Sequence, residues 1–127
     1  RYPALFTISR IGTGDRRTRI ASFTTARLAL HETLHPLELL ARAAGRRDLS
    51  ARRHVDAIRS AMSDQIRRHF DAELQTLGPA RRDDIVATIA ALTSVEAWEQ
   101  FRHSHDRTPA QTRRAWNDAI DRILPVE

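Results

Sequence analysis

At 127 residues the chain has room for one domain with a real hydrophobic core, needing neither disulfides nor a structural metal. It contains no cysteine, which excludes a disulfide framework, thiolate zinc sites and thiol nucleophiles and sits best with a reducing cytoplasm. The net charge of +5 comes entirely from arginine on the basic side, but these charges are interleaved with acids rather than pooled as a phosphate-binding surface would require.

The interleaving is at helical spacing: Arg52 with Asp56, Asp64 with Arg68, Arg67 with Asp71, Arg114 with Asp118, and Asp118 with Arg122. Such pairs are expected on solvated helix faces. The doublets Arg16-Arg17, Arg46-Arg47 and Arg81-Arg82 also have acids close by, at Asp15, Asp48, Asp83 and Asp84. No stretch reaches the roughly 20 apolar residues that span a bilayer, and the start has no export-signal core. No membrane partner is therefore expected.

Four glycines and five prolines punctuate a chain dominated by alanine, arginine and leucine, with no alternating pattern of strand length. The expected class is all-α, an antiparallel bundle of about five helices. Residues 1–14, with Pro3 and the run Ile11-Gly12-Thr13-Gly14, form an irregular lead-in. Because the chain starts at Arg1, further sequence is expected before it. Residues 15–127 are the domain proper.

Asp15 is the expected N-cap of a first helix running to about Leu34, with Ile20, Phe23, Leu30 and Leu34 facing inward. Arg27 and His31 fall on that same stripe. Pro36 is expected to end or kink the helix, and Leu37 to Ala44 to form a short second helix closed by Gly45. Asp48 or Ser50 then caps a long amphipathic helix carrying Val55, Ile58, Met62, Ile66, Phe70 and Leu74 and ending before Gly78.

Pro79 opens the next helix, expected to reach about Ser104. From Ile85 to Trp98 its apolar and small residues point in nearly every direction, which calls for cover on two sides. Thr108-Pro109-Ala110-Gln111 is a capping signature for the last helix, whose stripe is Trp116, Ala119, Ile120, Ile123 and Leu124. One side of the last two long helices is thus free to meet a second copy. The expected homodimer interface is Ile85, Ala90, Thr93 and Ala97 with Trp116, Ile120, Ile123 and Leu124.

The stretch Ala91-Leu92-Thr93-Ser94-Val95-Glu96-Ala97-Trp98, the polar connector through Arg107 and the helix opening at Thr108-Pro109 resemble the C-terminal end of regulators of the tetracycline-repressor (TetR) family. A helix ending at Leu34-His35-Pro36, a short helix and a long amphipathic one fit the same order. The resemblance implies a homodimer made by the last two long helices, a small-molecule effector pocket inside the bundle, and operator DNA bound only through an N-terminal helix-turn-helix domain absent from this chain. Residues 1–14 leave no room for such a reader. Val95 and His35 depart from what relatives often carry.

Two constellations bear on chemistry. His31-Glu32-Thr33-Leu34-His35 matches the H-E-x-x-H pattern, in which two histidines one turn apart hold zinc and the glutamate acts as base. Pro36 disturbs that geometry, and only His54, His69 or a distant acid offers a third ligand, so His31 and His35 are weak metal candidates and a zinc-dependent hydrolase is the alternative rather than the main reading. His103 and His105 suit a helix terminus. The other constellation is Arg27 and His31 on an apolar stripe, where a polar group must find a partner or line a cavity.

The candidate pocket joins Phe23, Arg27 and His31 to Met62, Ile66 and Phe70, with Ile89, Trp98 and Phe101 as further walls. No catalytic triad, phosphate loop or cofactor fingerprint is present. The function expected is that of a cofactor-free, non-enzymatic effector-binding and dimerisation domain for a small, largely apolar molecule. A free-standing helical interaction module is the remaining alternative.

Overall fold

A computed structural model describes residues 6–126, and among them the chain is all-helical, without a strand. The helices are α1 (Arg16–Gly45), α2 (Leu49–His69), the single turn α3 (Asp71–Leu74), α4 (Pro79–Leu92), α5 (Val95–Glu99), which runs on as a wider π-helical turn over Gln100–Ser104, and α6 (Pro109–Ile123). The irregular reading of the lead-in holds for residues 6–14; its residues 1–5, including Pro3, lie outside the described residues. Gly12 and Gly14 both take positive φ, and a Cβ on Gly14 would meet the Thr18 side chain at 2.9 Å.

The caps follow local chemistry. Asp15 accepts from the Thr18 N–H at 2.8 Å, and that bond holds its carboxyl below the usual range. Asp48 caps α2 through the Ser50 N–H. At α6, Thr108 Oγ accepts from the Gln111 N–H while the Gln111 side chain accepts from the Thr108 N–H, a complete capping box.

Three expected boundaries are corrected. The first helix does not end at Pro36, and there is no separate short helix from Leu37: α1 is helical from Arg16 to Gly45 with Pro36 inside it. Proline removes one N–H from the ladder, a cost met here by side-chain ties on both sides of the break. His31 Nδ1 sits 2.9 Å from Glu38 Oε1, a link that spans Pro36, and Glu32 accepts from both Trp98 and Arg102.

The long amphipathic helix breaks at Phe70, whose backbone (φ −107, ψ 26) is not helical and whose ring is fully buried edge-on against Phe23 at 5.5 Å. The turn that follows carries Glu73 into a buried bidentate ion pair with Arg19. The helix opened by Pro79 likewise stops at Leu92. Ser94 starts α5 by accepting from the Ala97 N–H, so the Thr93 carbonyl is freed and accepts instead from His31 Nε2–H at 2.7 Å.

Two apolar clusters hold the bundle. The larger joins Ile20 and Phe23 of α1, Ile66 and Phe70 at the end of α2, Leu74, the α4 residues Ile85, Val86 and Ile89, and Ile120 and Leu124 from the last helix, with Ile8 of the lead-in. The smaller is Val95 and Trp98 of α5 against Trp116, flanked by Leu28, Leu39, Leu92 and Phe101. None of the five expected i,i+4 pairs forms an ion pair among the described residues. The arginines reach other helices instead, as in Arg16–Asp121, Arg67–Asp83 and Arg102–Glu32. A pair between helices fixes their spacing, which a pair on one solvated face cannot do. No helix among the described residues is long and apolar enough to cross a membrane.

Candidate ligand-binding site

The apolar period of α2 runs its whole length, but the core consumes only its end. Ile66 and Phe70 are fully buried, whereas Val55, Ile58 and Met62, one to three turns earlier, are half-buried. They face a cavity of about 600 Å³ between α1, α2 and the junction of α4 with α5, a volume in the range that holds small-molecule ligands. The break at Thr93 forms the far wall, where Ala90, Ala91, Thr93 and Val95 line the space, and Phe6 of the lead-in also reaches it.

Polar groups gather at two levels. Deep in the cavity Arg27 is 3 % and His31 2 % exposed. The Arg27 guanidinium donates to Gln65 Oε1 at 2.6 Å and, at 3.4 Å, to the Met62 carbonyl, and it lies 4.8 Å over the Phe23 ring. All of these partners are neutral. Burial pushes its pKa down to about 10, against the pull of the Glu38 carboxylate, so it remains a cation at neutral pH. His31 is flanked by acceptors on both nitrogens, Thr93 O and Glu38.

Nearer solvent, Glu96 of α5 accepts from Arg42 of α1 and Arg59 of α2, both at 3.0 Å, and ties three helices together. Burial would raise the Glu96 carboxyl, but its own backbone N–H and the two guanidiniums hold it below its ordinary range.

Of the residues expected to form the pocket, the structure brings together Arg27, His31, Met62 and Ile66 on this cavity. Phe23, Phe70 and Ile89 are instead fully buried in the larger cluster, and Trp98 with Phe101 in the smaller one. Of those expected at a dimer interface, Trp116 and Ile120 are fully enclosed by the single chain's own core, and Ile85 and Leu124 are buried there too. Thr93 and Ala90 line the cavity. Of that set only Ala97 and Ile123 are partly exposed without lining the cavity, and Ile123 packs against the larger cluster.

The sequence reading missed Glu38, Arg42, Arg59 and Glu96, which a helical wheel places among ordinary solvated charges. It also missed Val55 and Ile58, which it read as plain stripe residues. One signal was present: Ser94, with Glu96 in the first turn after it, is a helix start inside what reads as a continuous helix.

The H-E-x-x-H residues are dispersed by their partners. Both ring nitrogens of His31 are engaged, Glu32 is held by Trp98 Nε1–H at 2.6 Å and by Arg102, and the His35 ring stacks 4.5 Å from Trp98. Among the described residues no group of three or more His, Asp or Glu is placed to hold a metal ion. His69 is a structural ligand of the chain itself: its Nδ1 accepts from the Gly12 N–H and its Nε2–H donates to the Arg19 carbonyl. Burial lowers its pKa, more than the bond to Arg19 O restores.

Compared with family models, curated proteins and solved structures, the chain matches none.

Proposed function

We propose that this chain is a ligand-sensing domain that takes a small, largely apolar molecule into the cavity between α1, α2 and the α4–α5 junction. The observation that carries the reading is that Val55, Ile58 and Met62, an apolar face in register with the core, open onto a space with Arg27 and His31 buried at its base. A polar pair held inside an apolar cavity orients a ligand; in a plain core it only adds a desolvation cost.

The cavity is also wired to the lead-in. Gln65 accepts from Arg27 and donates through Nε2 to the Phe6 carbonyl at 2.9 Å, and Phe6 itself is a wall. A ligand that draws Arg27 away from Gln65 changes how residues 6–14 are held. That is the connection a regulator needs between an effector pocket and a DNA-reading domain placed upstream. Together with the resemblance carried by 91–98 and Thr108-Pro109, it supports the regulatory half of a TetR-type, cytoplasmic, homodimeric transcriptional regulator. The second copy would then meet the outer surface of α4, where Ala87 and Thr88 are exposed.

An apolar fluorescent dye titrated into the chain tests the pocket. One saturable site per chain is expected in the wild type and none in Ile58→Trp, which fills the cavity; a wild type with no saturable site removes the reading. Light scattering on the wild type and on Ala87→Arg tests the dimer separately, and a wild-type monomer would leave a sensing domain without the regulator architecture. In that event the exposed Leu37, Leu40 and Leu49 would favour the free-standing interaction module.

A further inference from the structure

The charge inside the cavity does not balance. Three guanidiniums, Arg27, Arg42 and Arg59, stand against two carboxylates, Glu38 and Glu96. Arg42 and Arg59 are both committed to Glu96 at the solvent side, and the Glu38 carboxylate is committed to His31. The surplus therefore falls on Arg27, the deepest cation, which has no carboxylate within ion-pairing distance among the described residues. A guanidinium has five N–H donors in a planar fork, and only two are directed at protein acceptors here.

A buried cation with neutral partners is costly unless something completes its coordination. The arginines with structural work in this molecule show the contrast. Arg19 is also buried and meets Glu73 with both terminal nitrogens, and Arg102 meets Glu32 through Nε and one terminal nitrogen. Of the two arginines buried among the described residues, Arg19 meets an acid and Arg27 faces an open space. Beside it the walls are aliphatic, Ile66 and Met62 first and then Ile58 and Val55 along α2 towards the solvent side.

We propose that the molecule bound in this cavity is an amphiphilic monoanion, with its carboxylate on the Arg27 fork and its apolar chain lying along Met62, Ile58 and Val55. This rests on the ligand-sensing reading of the cavity and adds the ligand's chemical class. A single negative charge satisfies the surplus, whereas a phosphate dianion would exceed it and meet the Glu38 carboxylate as well. An ammonium amphiphile would place a cation against a cation.

Calorimetric titration of the wild type with octanoate, 1-octanol and octylammonium, one chain length with three head groups, tests this directly. Octanoate is expected to bind roughly tenfold to a hundredfold tighter than octanol, the range of one charge-assisted contact, and octylammonium weakest. Arg27→Lys should keep the order and Arg27→Met should abolish the preference for octanoate over octanol. Octanol binding as tightly as octanoate, or octylammonium binding best, would overturn the anion while leaving the cavity a ligand site. No binding of any of the three would overturn both. Octanoate bound equally by wild type and Ile58→Trp would place it elsewhere and refute the assignment. The head-group comparison on the wild type decides the matter even where Arg27→Met fails to fold.

Discussion

The two ends of α2 carry one apolar period and meet opposite fates. At its end, Ile66 and the Phe70 that follows it are sealed between α1, α4 and α6; from Val55 to Met62 the same stripe opens on a cavity. Periodicity says which face turns inward and is silent on whether anything waits there. What decides it is the partner. Beside Ile66 and Phe70 lie Phe23 and Ile89, while beside Val55 and Ile58 the facing chain has turned at Thr93 and left small residues and charges. The ion pairs divide in the same way, with the closed pair Arg19–Glu73 at the packed end and the unmatched Arg27 at the open one.

If that contrast is right, substitutions at the two ends should differ severalfold in cost. Phe70→Ala should lose about 3–5 kcal/mol of unfolding free energy in urea, because the ring is fully enclosed and its cavity cannot collapse. Met62→Ala, on the same helix, should lose about 1 kcal/mol or less, since its side chain already borders empty space. Equal losses would mean that the cavity closes in solution.

The buried ions sharpen the comparison. Glu73→Gln leaves Arg19 enclosed beside Arg16 without its acid and should cost about 3 kcal/mol. Arg27→Met removes a buried cation that has no acid to lose and should change stability by no more than about 1 kcal/mol in either direction, while removing preference for an anionic ligand. A large loss in Arg27→Met would make that residue a structural member of the core instead.

A smaller effect is expected from pH at the packed end. His69 has its pKa below the ordinary 6.5 in the folded chain, so the unfolded chain takes up its proton first. Its contribution is complete above 6.5 and is lost as pH falls below that value towards the folded pKa. The wild type should therefore lose more thermal stability between about pH 7 and 5 than His69→Gln does, which retains no titrating ring. Identical slopes would remove His69 as the lead-in's pH-sensitive tie. The smallest change expected is that of Thr108→Ala, about 1 kcal/mol for the loss of one side of the capping box, remote from both ends and therefore a baseline for them.

How much was legible varies by the range of the interaction. The caps at Asp15, Asp48 and Thr108 were readable because a cap is made within three residues of itself. Arg27 and His31 were singled out because a polar side chain on an apolar stripe is anomalous wherever the stripe packs. Glu38, Arg42, Arg59 and Glu96 carried no such mark, since each looks like a solvated charge until three helices bring them together. Trp116 and Ile120 were read as an apolar stripe and assigned to an interface with a second copy, but the face they form is buried by their own chain.

By itself the sequence determined the helical class, the inward stripes and most caps, all of which follow from side-chain spacing and local hydrogen bonding. Tertiary structure decided three breaks: the one that Pro36 does not make and those at Phe70 and Thr93. In each the local preference is worth about a kilocalorie or a few, while contacts from distant residues, the His31–Glu38 link across Pro36, the Phe23–Phe70 packing and the His31 bond to Thr93 O, act on the same few residues together. The cavity lies beside the turn that separates α4 from α5 at Thr93, and the His31 bond to the Thr93 carbonyl is one of the long-range contacts that hold it.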